Sequence, residues 1–147
     1  MKIVICGSVV FSDKIIDATK MLEELGHQVD IPFVTKLIRD KKLSLDQYIK
    51  DKEKDGDIKY REAYKAQADM IKRYYTLIKN SDAILVLNYA KKNVDGYVGG
   101  SVLMEMGFAY VMDKKIYLLN PIPEISYKDE LLAMKPIVIN GDLGQVI

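Results

Sequence analysis

The fold is decided by "AILVLN", residues 83–88, an unbroken apolar run that ends in an amide. Apolar runs without polar alternation are typical of strands inside a parallel sheet, because helices cover both faces of such a sheet. Further strands are predicted at "KIVIC" (2–6), which is rich in β-branched residues, at "HQVDI" (27–31) before Pro32, at "KKIYLLN" (114–120) and at "PIVI" (136–139). The sequence therefore predicts five strands.

Helical patterns separate these strands. Before the stop signal at Gly26, apolar residues recur at helical spacing: Ile15, Ile16, Ala18, Met21, Leu22 and Leu25. We predict a helix within residues 96–112 that is apolar nearly all round and therefore buried. We predict a short helix over residues 126–134, with Ser126 as its N-cap. Alternating strands and helices predict an α/β fold: a flavodoxin-like or Rossmann-like parallel five-stranded sheet of order 2-1-3-4-5, with helices on both faces.

The segment from about residue 35 to residue 80 is lysine-rich and differs from the rest. We predict a helical insertion within one domain (1–147), with two helices flanking a mobile loop at "DKEKDGD" (51–57). In the second of these helices, residues three, four or seven apart form a stripe that we assign to packing against the core: Tyr60, Tyr64, Ile71, Tyr74 and Ile78.

Composition excludes several classes of function. Lys and Arg total 22 against 21 for Asp and Glu, so no overall field attracts a nucleic acid polymer or a membrane surface. One cysteine (Cys6) and one histidine (His27) provide neither an internal disulfide nor a four-ligand zinc site. We therefore expect a protein of the reducing cytoplasm that holds no metal. The apolar N-terminus is too short to span a bilayer, and we expect no targeting segment.

Small and polar residues follow three of the predicted strands: Gly7 and Ser8, then Asn88 and Tyr89, then Asn120. Ligands of open parallel sheets bind beyond the carboxyl ends of the strands, near the point where strand order reverses. These residues are therefore candidates for substrate contact. The chain has neither a P-loop nor the "GxGxxG" dinucleotide fingerprint, so we expect no cofactor.

The loop after Tyr89 adds further candidates. It contains Asp95 and leads to Gly99, Gly100 and Ser101, which open the next helix. Free backbone N–H groups at a glycine-rich helix start attract a phosphate or a hydroxyl group. A tight turn with Ser101 as N-cap explains the same residues equally well.

Glu105 is the one charge in the stretch 96–112. A capping box would put it three residues after the cap, whereas it lies four after Ser101. Residues four apart share a helix face, so Ser101, Glu105 and Phe108 point the same way. Burying a carboxylate costs several kcal/mol unless it is paired. Glu105 therefore has either a role in a site or a structural partner such as a Tyr, Lys or Arg.

The sequence resembles the nucleoside 2-deoxyribosyltransferase superfamily, which includes the deoxynucleoside 5'-monophosphate N-glycosidases. The resemblance covers most of the chain, through "KIVICGS", "LEELGHQV", "SDAILVLN", "MEMGFAY" and "KKIYLLNP". Its most specific part is the small-residue loop followed by Glu-X-Gly-X-Ala, here residues 105–109. A second group, the phosphoribohydrolases that activate cytokinins, has the loop Gly-Gly-X-Gly-Thr-X-X-Glu, which "GGSVLME" matches less well.

The resemblance implies cleavage or transfer at the N-glycosidic bond of a nucleoside or its 5'-monophosphate. It implies that Glu105 is the nucleophile that attacks the anomeric carbon. It further implies that the turn at Gly7 and Ser8 contacts the sugar, that Gly99, Gly100 and Ser101 hold its 5' end, and that Asp95 contacts the base; from their places at the strand ends, Asn88 and Tyr89 would face the base too. Family members usually assemble as homodimers or larger homo-oligomers, so the same is expected here.

One position departs from the family pattern. The family has an aspartate near the leaving base, and the corresponding residue, eight before Asp82, is Tyr74. Either Tyr74 or an acid from a loop supplies the proton, or the protein is a nucleotide-binding module that cleaves poorly. Loss of a general acid slows a reaction by a factor of about 100 to 10,000. A flavodoxin-like electron carrier is a weaker alternative, because the Ser/Thr-rich phosphate loop after the first strand is missing.

Overall fold

The protein is built on one parallel sheet. The computed structural model describes residues 1–56 and 69–147. Five strands lie in the order β2-β1-β3-β4-β5, and every pair is parallel, which confirms the predicted fold class. The strands are β1 (Lys2–Cys6), β2 (Gln28–Asp30), β3 (Ala83–Val86), β4 (Lys115–Leu118) and β5 (Ile137–Val138).

Six α-helices are present in the described part of the chain. They are α1 (Ser12–Glu24), α2 (Phe33–Arg39), α3 (Leu45–Asp55), α4 (Met70–Lys79), α5 (Gly100–Val111) and α6 (Lys128–Ala133). Short 3-10 turns occur at Val9–Phe11 and Leu143–Gln145.

Two apolar cores lie on opposite faces of the sheet, as predicted. Side chains alternate along a strand, so Ile3 and Ile5 of β1 face α1, whereas Val4 and Cys6 face α4 and α5. Helix α6 joins the second core through Leu131. Strands β1 and β3 pair in parallel, with Cys6 beside Val86, so their carboxyl ends lie side by side.

The segment predicted as an insertion holds three helices in its described part, α2, α3 and α4, rather than two. The predicted loop at 51–57 is wrong for residues 51–55, because α3 continues to Asp55. Ser44 caps this helix by accepting a hydrogen bond from the backbone N–H of Gln47 at 3.1 Å, and the Gln47 side chain donates to Asp51 at 2.8 Å. The charged face of a helix can point to water without a desolvation cost. A polar stretch of sequence alone therefore does not indicate a loop.

The packing stripe is confirmed only in part. Tyr74 and Ile78 of α4 are buried in the core, but Ile71 is 54% exposed. Its other two members, Tyr60 and Tyr64, lie outside the described residues.

Other local predictions are corrected by the structure. Met21 and Leu25, assigned to the core face of α1, are more than half exposed, since the helix rests on the sheet through Ile15, Ala18 and Leu22. Ser126 is not the cap of α6, which is preceded by Tyr127 without a side-chain capping bond. Helix α5 is not buried all round, because Tyr110 and Val111 are 48% and 73% exposed.

Candidate active site

A cavity of about 290 Å³ lies beyond the carboxyl ends of β1 and β3, the place that the sheet topology predicts for a ligand. Its walls come from the β1–α1 turn, the β3–α5 loop, the start of α5, and helices α2 to α4. The predicted site residues that line it are Gly7, Ser8, Tyr74, Gly99, Gly100, Ser101 and Glu105.

Glu105 lies in the second turn of α5, on the face shared with Ser101 and Phe108, and all three line the cavity. Removal from water raises the pKa of the Glu105 carboxyl to about 7, and a hydrogen bond with the Cys6 thiol partly opposes this rise. Burial, followed by the nearby Glu105 charge, raises the pKa of Cys6 well above its ordinary value. Near neutral pH, Glu105 therefore changes its charge while Cys6 stays a thiol.

Tyr74 lies in the cavity wall near Glu105 and is only 3% exposed. Its hydroxyl group donates a hydrogen bond to the backbone carbonyl of Ile5 at 3.3 Å. Burial and the Glu105 charge raise the pKa of Tyr74 well above its ordinary value. The tyrosine proton is thus held by the backbone of β1.

One end of the cavity is polar. The Lys91 ammonium group donates to the Ser8 hydroxyl at 2.9 Å, so it joins the β3–α5 loop to the β1–α1 turn. Helix α5 begins beside them, at Gly100, with Gly99 as N-cap. Ser101 is therefore not the cap, and it lies in the first turn with its side chain exposed. The sequence places Lys91 in the loop that adds candidate residues, but nothing local shows which strand end a loop lysine reaches.

A second part of the cavity wall, the apolar end, was not predicted. It is formed by Phe33 at the start of α2, Tyr48 on α3, and Met70 and Ile71 on α4, with Lys52 as the one charged residue among the described residues of these helices that line the cavity. Tyr48 is only 2% exposed, and its hydroxyl accepts a hydrogen bond from Lys52 at 3.5 Å. In the sequence, Phe33 is visible only as an aromatic residue directly after Pro32. This position does not indicate the direction of its side chain.

Asn88 and Asn120 lie outside the cavity and bind each other's backbone. The Asn88 amide group donates to the carbonyl groups of Gly96, Asn120 and Pro121 at 3.1–3.2 Å, and its oxygen accepts from the Asn120 N–H at 2.8 Å. Asn120 returns a bond to the Asn88 carbonyl at 3.1 Å. These bonds hold the ends of β3 and β4 together and fully occupy the buried Asn88 side chain.

Tyr89 and Asp95 are also outside the cavity. The Tyr89 ring packs on Phe11, with 5.3 Å between ring centroids, and the Lys14 ammonium group lies 4.0 Å from the Tyr89 centroid. Phe11 lines the cavity, so Tyr89 supports a wall from behind. Asp95 is exposed and lines a separate depression that includes Asn120 and Glu124.

Two further properties concern the part of the chain that the structure describes. Residues 1–56 and 69–147 contain no group of three or more His, Cys, Asp or Glu side chains arranged to hold a metal ion. None of the helices within these ranges combines the length and hydropathy needed to cross a bilayer.

No protein-family model and no curated protein sequence matches the chain. Among solved structures, a CMP N-glycosidase of Clostridium botulinum, BcmB, superposes with a TM-score of 0.51 and 20% sequence identity. The match covers 99% of this chain and 94% of that chain. At this identity the likeness shows a common fold, along nearly the whole length of both proteins.

The raised pKa of Glu105 predicts a pH-dependent stability. Glutamate titrates near 4.5 in an unfolded chain and near 7 in this fold, so between these values the folded state keeps a proton that the unfolded state has released. Stability therefore falls as pH rises through this window. Relative to Glu105→Gln, the wild type should lose on the order of 2 kcal/mol of unfolding free energy between pH 5 and pH 8.

Urea unfolding at several pH values measures this difference. Glu23→Gln, on the exposed side of α1, is the matched control for loss of a carboxylate. A difference between wild type and Glu105→Gln that stays constant from pH 5 to pH 8 would contradict the assigned burial of the charge.

Proposed function

We propose that this protein cleaves or transfers at the N-glycosidic bond of a nucleoside 5'-monophosphate, with Glu105 as the nucleophile. One observation carries the proposal: among the described residues that line the cavity, Glu105 is the sole carboxylate, and it shares this cavity with the Lys91–Ser8 pair and with a set of apolar side chains. A carboxylate in this position suits attack on a sugar carbon that develops positive charge.

The polar and apolar groups that line the cavity match the phosphate and the base of a nucleotide. The Lys91 ammonium group, the Ser8 hydroxyl and the backbone N–H groups at the start of α5 suit a phosphate at one end. The aromatic and aliphatic side chains at the other end suit a planar base. A sugar between the two would lie against Glu105. The name of the solved neighbour, a CMP N-glycosidase, supports this class of substrate.

The reaction would proceed in two displacements. In the first, a Glu105 carboxylate oxygen forms a bond to the anomeric carbon, the carbon–nitrogen bond breaks, and its electron pair stays on the base, which takes up a proton. In the second, water or another base attacks the same carbon and releases a proton to solvent, which balances the proton taken up by the leaving base, while the ester bond to Glu105 breaks and the carboxylate is restored. Covalent capture divides one difficult displacement into two easier ones.

Incubation with a panel of ribo- and deoxyribonucleoside 5'-monophosphates, followed by chromatography for the free base, tests the proposal. We expect release of base by the wild type and a loss of at least about 1,000-fold in the rate of Glu105→Ala, as is typical when a nucleophile is removed.

The attack needs an ionised carboxylate, and the pKa of Glu105 is about 7. Below this pH, kcat/KM should therefore fall about tenfold per unit.

The matched control Glu23→Gln should retain the wild-type rate, since Glu23 is exposed on α1. Absence of base release from the whole panel, or release that is unaffected by Glu105→Ala, would refute the enzymatic proposal.

A second candidate is a nucleotide-binding module without efficient cleavage, and one observation favours it. The Tyr74 hydroxyl, in the place of the family's aspartate, donates to the Ile5 carbonyl rather than into the cavity. Stabilisation of the protein by nucleotides in a thermal unfolding assay, without release of base, would support this candidate.

Tyr74→Phe determines whether the tyrosine takes part in catalysis. Because its proton is held by Ile5, we expect the variant to keep nearly the full rate of base release and to lose about 1 kcal/mol of unfolding free energy with the lost hydrogen bond. A loss of rate of about 100- to 10,000-fold at unchanged stability would instead identify Tyr74 as the general acid.

We further propose that the protein works as a homodimer in a reducing cytoplasm. Exposed apolar side chains support self-association: Tyr110 and Val111 on α5, and Tyr75 on α4, whose ring contacts Phe108 of α5. The one cysteine is buried and free, which fits a reducing compartment. Light scattering after gel filtration should give twice the chain mass, and Val111→Lys should give the mass of a monomer. Leu132→Lys, which changes an equally apolar exposed position on α6, should leave the dimer intact. A wild-type monomer would refute this part of the proposal.

A further inference from the structure

The apolar end of the cavity comes from helices α2, α3 and α4, which all lie outside the strand-end loops where the base contacts were expected. Phe33, Tyr48 and Ile71 are its principal described members. Each belongs to a different helix of the lysine-rich segment. This segment therefore forms a wall of the cavity that is chemically distinct from the loops holding the polar end.

Phe33 is the aromatic residue of this wall that carries the strongest indication of a binding role. It is the first residue of α2, directly after Pro32, whose restricted backbone sets the start of the helix. The Arg73 guanidinium group lies over the Phe33 ring, 5.6 Å from its centroid. Arg73 does not line the cavity, so this cation supports the ring from outside.

One nitrogen atom of the Arg73 side chain lacks a hydrogen bond among the described residues. The Arg73 Nε atom is buried and lacks a hydrogen-bond partner in the structure as far as the chain is described. A buried donor left without an acceptor destabilises a protein. The guanidinium group packs on the Phe33 ring, and this contact limits the movement of the ring at the cavity wall.

The side chains expected to face the base are not available to it. Asn88 is occupied by three backbone carbonyl groups, Tyr89 lies behind Phe11, and Asp95 lines another depression. With a phosphate near Lys91 and the sugar at Glu105, the apolar lining formed by Phe33, Tyr48 and Ile71 is the part of the described cavity wall that suits a base.

We propose that Phe33 is the residue on which the base of the substrate stacks, so that the lysine-rich helical segment, and not the β3–α5 loop, recognises the base. This inference rests on the proposed function. Aromatic stacking uses the face of the ring, which every base possesses, so Phe33 would discriminate a nucleotide from the sugar phosphate that lacks a base. An oriented ring gives more affinity than a mobile one, because less side-chain freedom is lost on binding.

The test compares two ligands in Glu105→Gln protein, in which turnover is blocked. Calorimetry measures the binding of ribose 5-phosphate and of the nucleoside 5'-monophosphate that binds most tightly in a panel of the common bases. Adding Phe33→Ala should weaken nucleotide binding by about 5- to 100-fold, the range expected for loss of one stacked base. Binding of ribose 5-phosphate should stay within about twofold, because that ligand does not reach Phe33.

Two more variants keep the result interpretable. Phe33→Tyr keeps an aromatic face and should bind the nucleotide as the parent does. Phe33→Leu keeps bulk without a ring, and it should show the same selective loss as Phe33→Ala if the alanine variant fails to fold. Ribose 5-phosphate binding shows that the cavity of each variant is intact.

Equal weakening of both ligands, or unchanged nucleotide binding in Phe33→Leu, would overturn the role of Phe33 while leaving the proposed function in place. Failure of the parent protein to bind any nucleotide of the panel would instead overturn the proposed function, and with it this inference.

Discussion

The pairing of β1 with β3 is the constraint on which the rest of the structure depends. These strands are far apart in the sequence, yet Cys6 lies beside Val86 in a parallel ladder. From this pair the chain continues to opposite faces of the sheet, through α1 on one side and α5 on the other. The two loops diverge as they leave the sheet, and the space between them is the cavity.

The same pairing brings a carboxylate into the interior. The Cys6 end of β1 packs against α5. Glu105 lies in the second turn of this helix, which begins at Gly100. The partial loss of water at Glu105 is the reason that the pKa of its carboxyl rises to about 7. An apolar residue would fill the same space at lower cost, so the burial of this carboxylate lowers the stability of the fold. Strained or unfavourable groups of this kind concentrate where a protein binds or reacts.

Hydrogen-bonding partners divide the polar residues at the strand ends into two sets. Asn88 and Asn120 fasten β3 to β4 through bonds to each other's backbone, and backbone groups fully occupy the Asn88 side chain, whereas Lys91 and Ser8 form a bond that stays at the cavity surface. In the sequence, all four are polar residues near the ends of apolar strands. Only the tertiary structure distinguishes the two sets, because it shows which backbone carbonyl groups of the neighbouring strands lie within reach of each side chain.

The sequence alone determined the sheet and its order, and it placed Glu105 on the helix face that lines the cavity, because apolar runs and helical spacing are local patterns that depend on few distant contacts. It also indicated Gly7, Ser8 and the Gly99–Ser101 turn, since strand ends and glycine-rich helix starts are visible in one dimension. Tertiary structure decided that the opposite wall comes from Phe33, Tyr48 and Ile71 on three separate helices. Amphipathic helices of the same pattern pack in several ways, and the direction of an aromatic side chain depends on the packing that the whole chain selects.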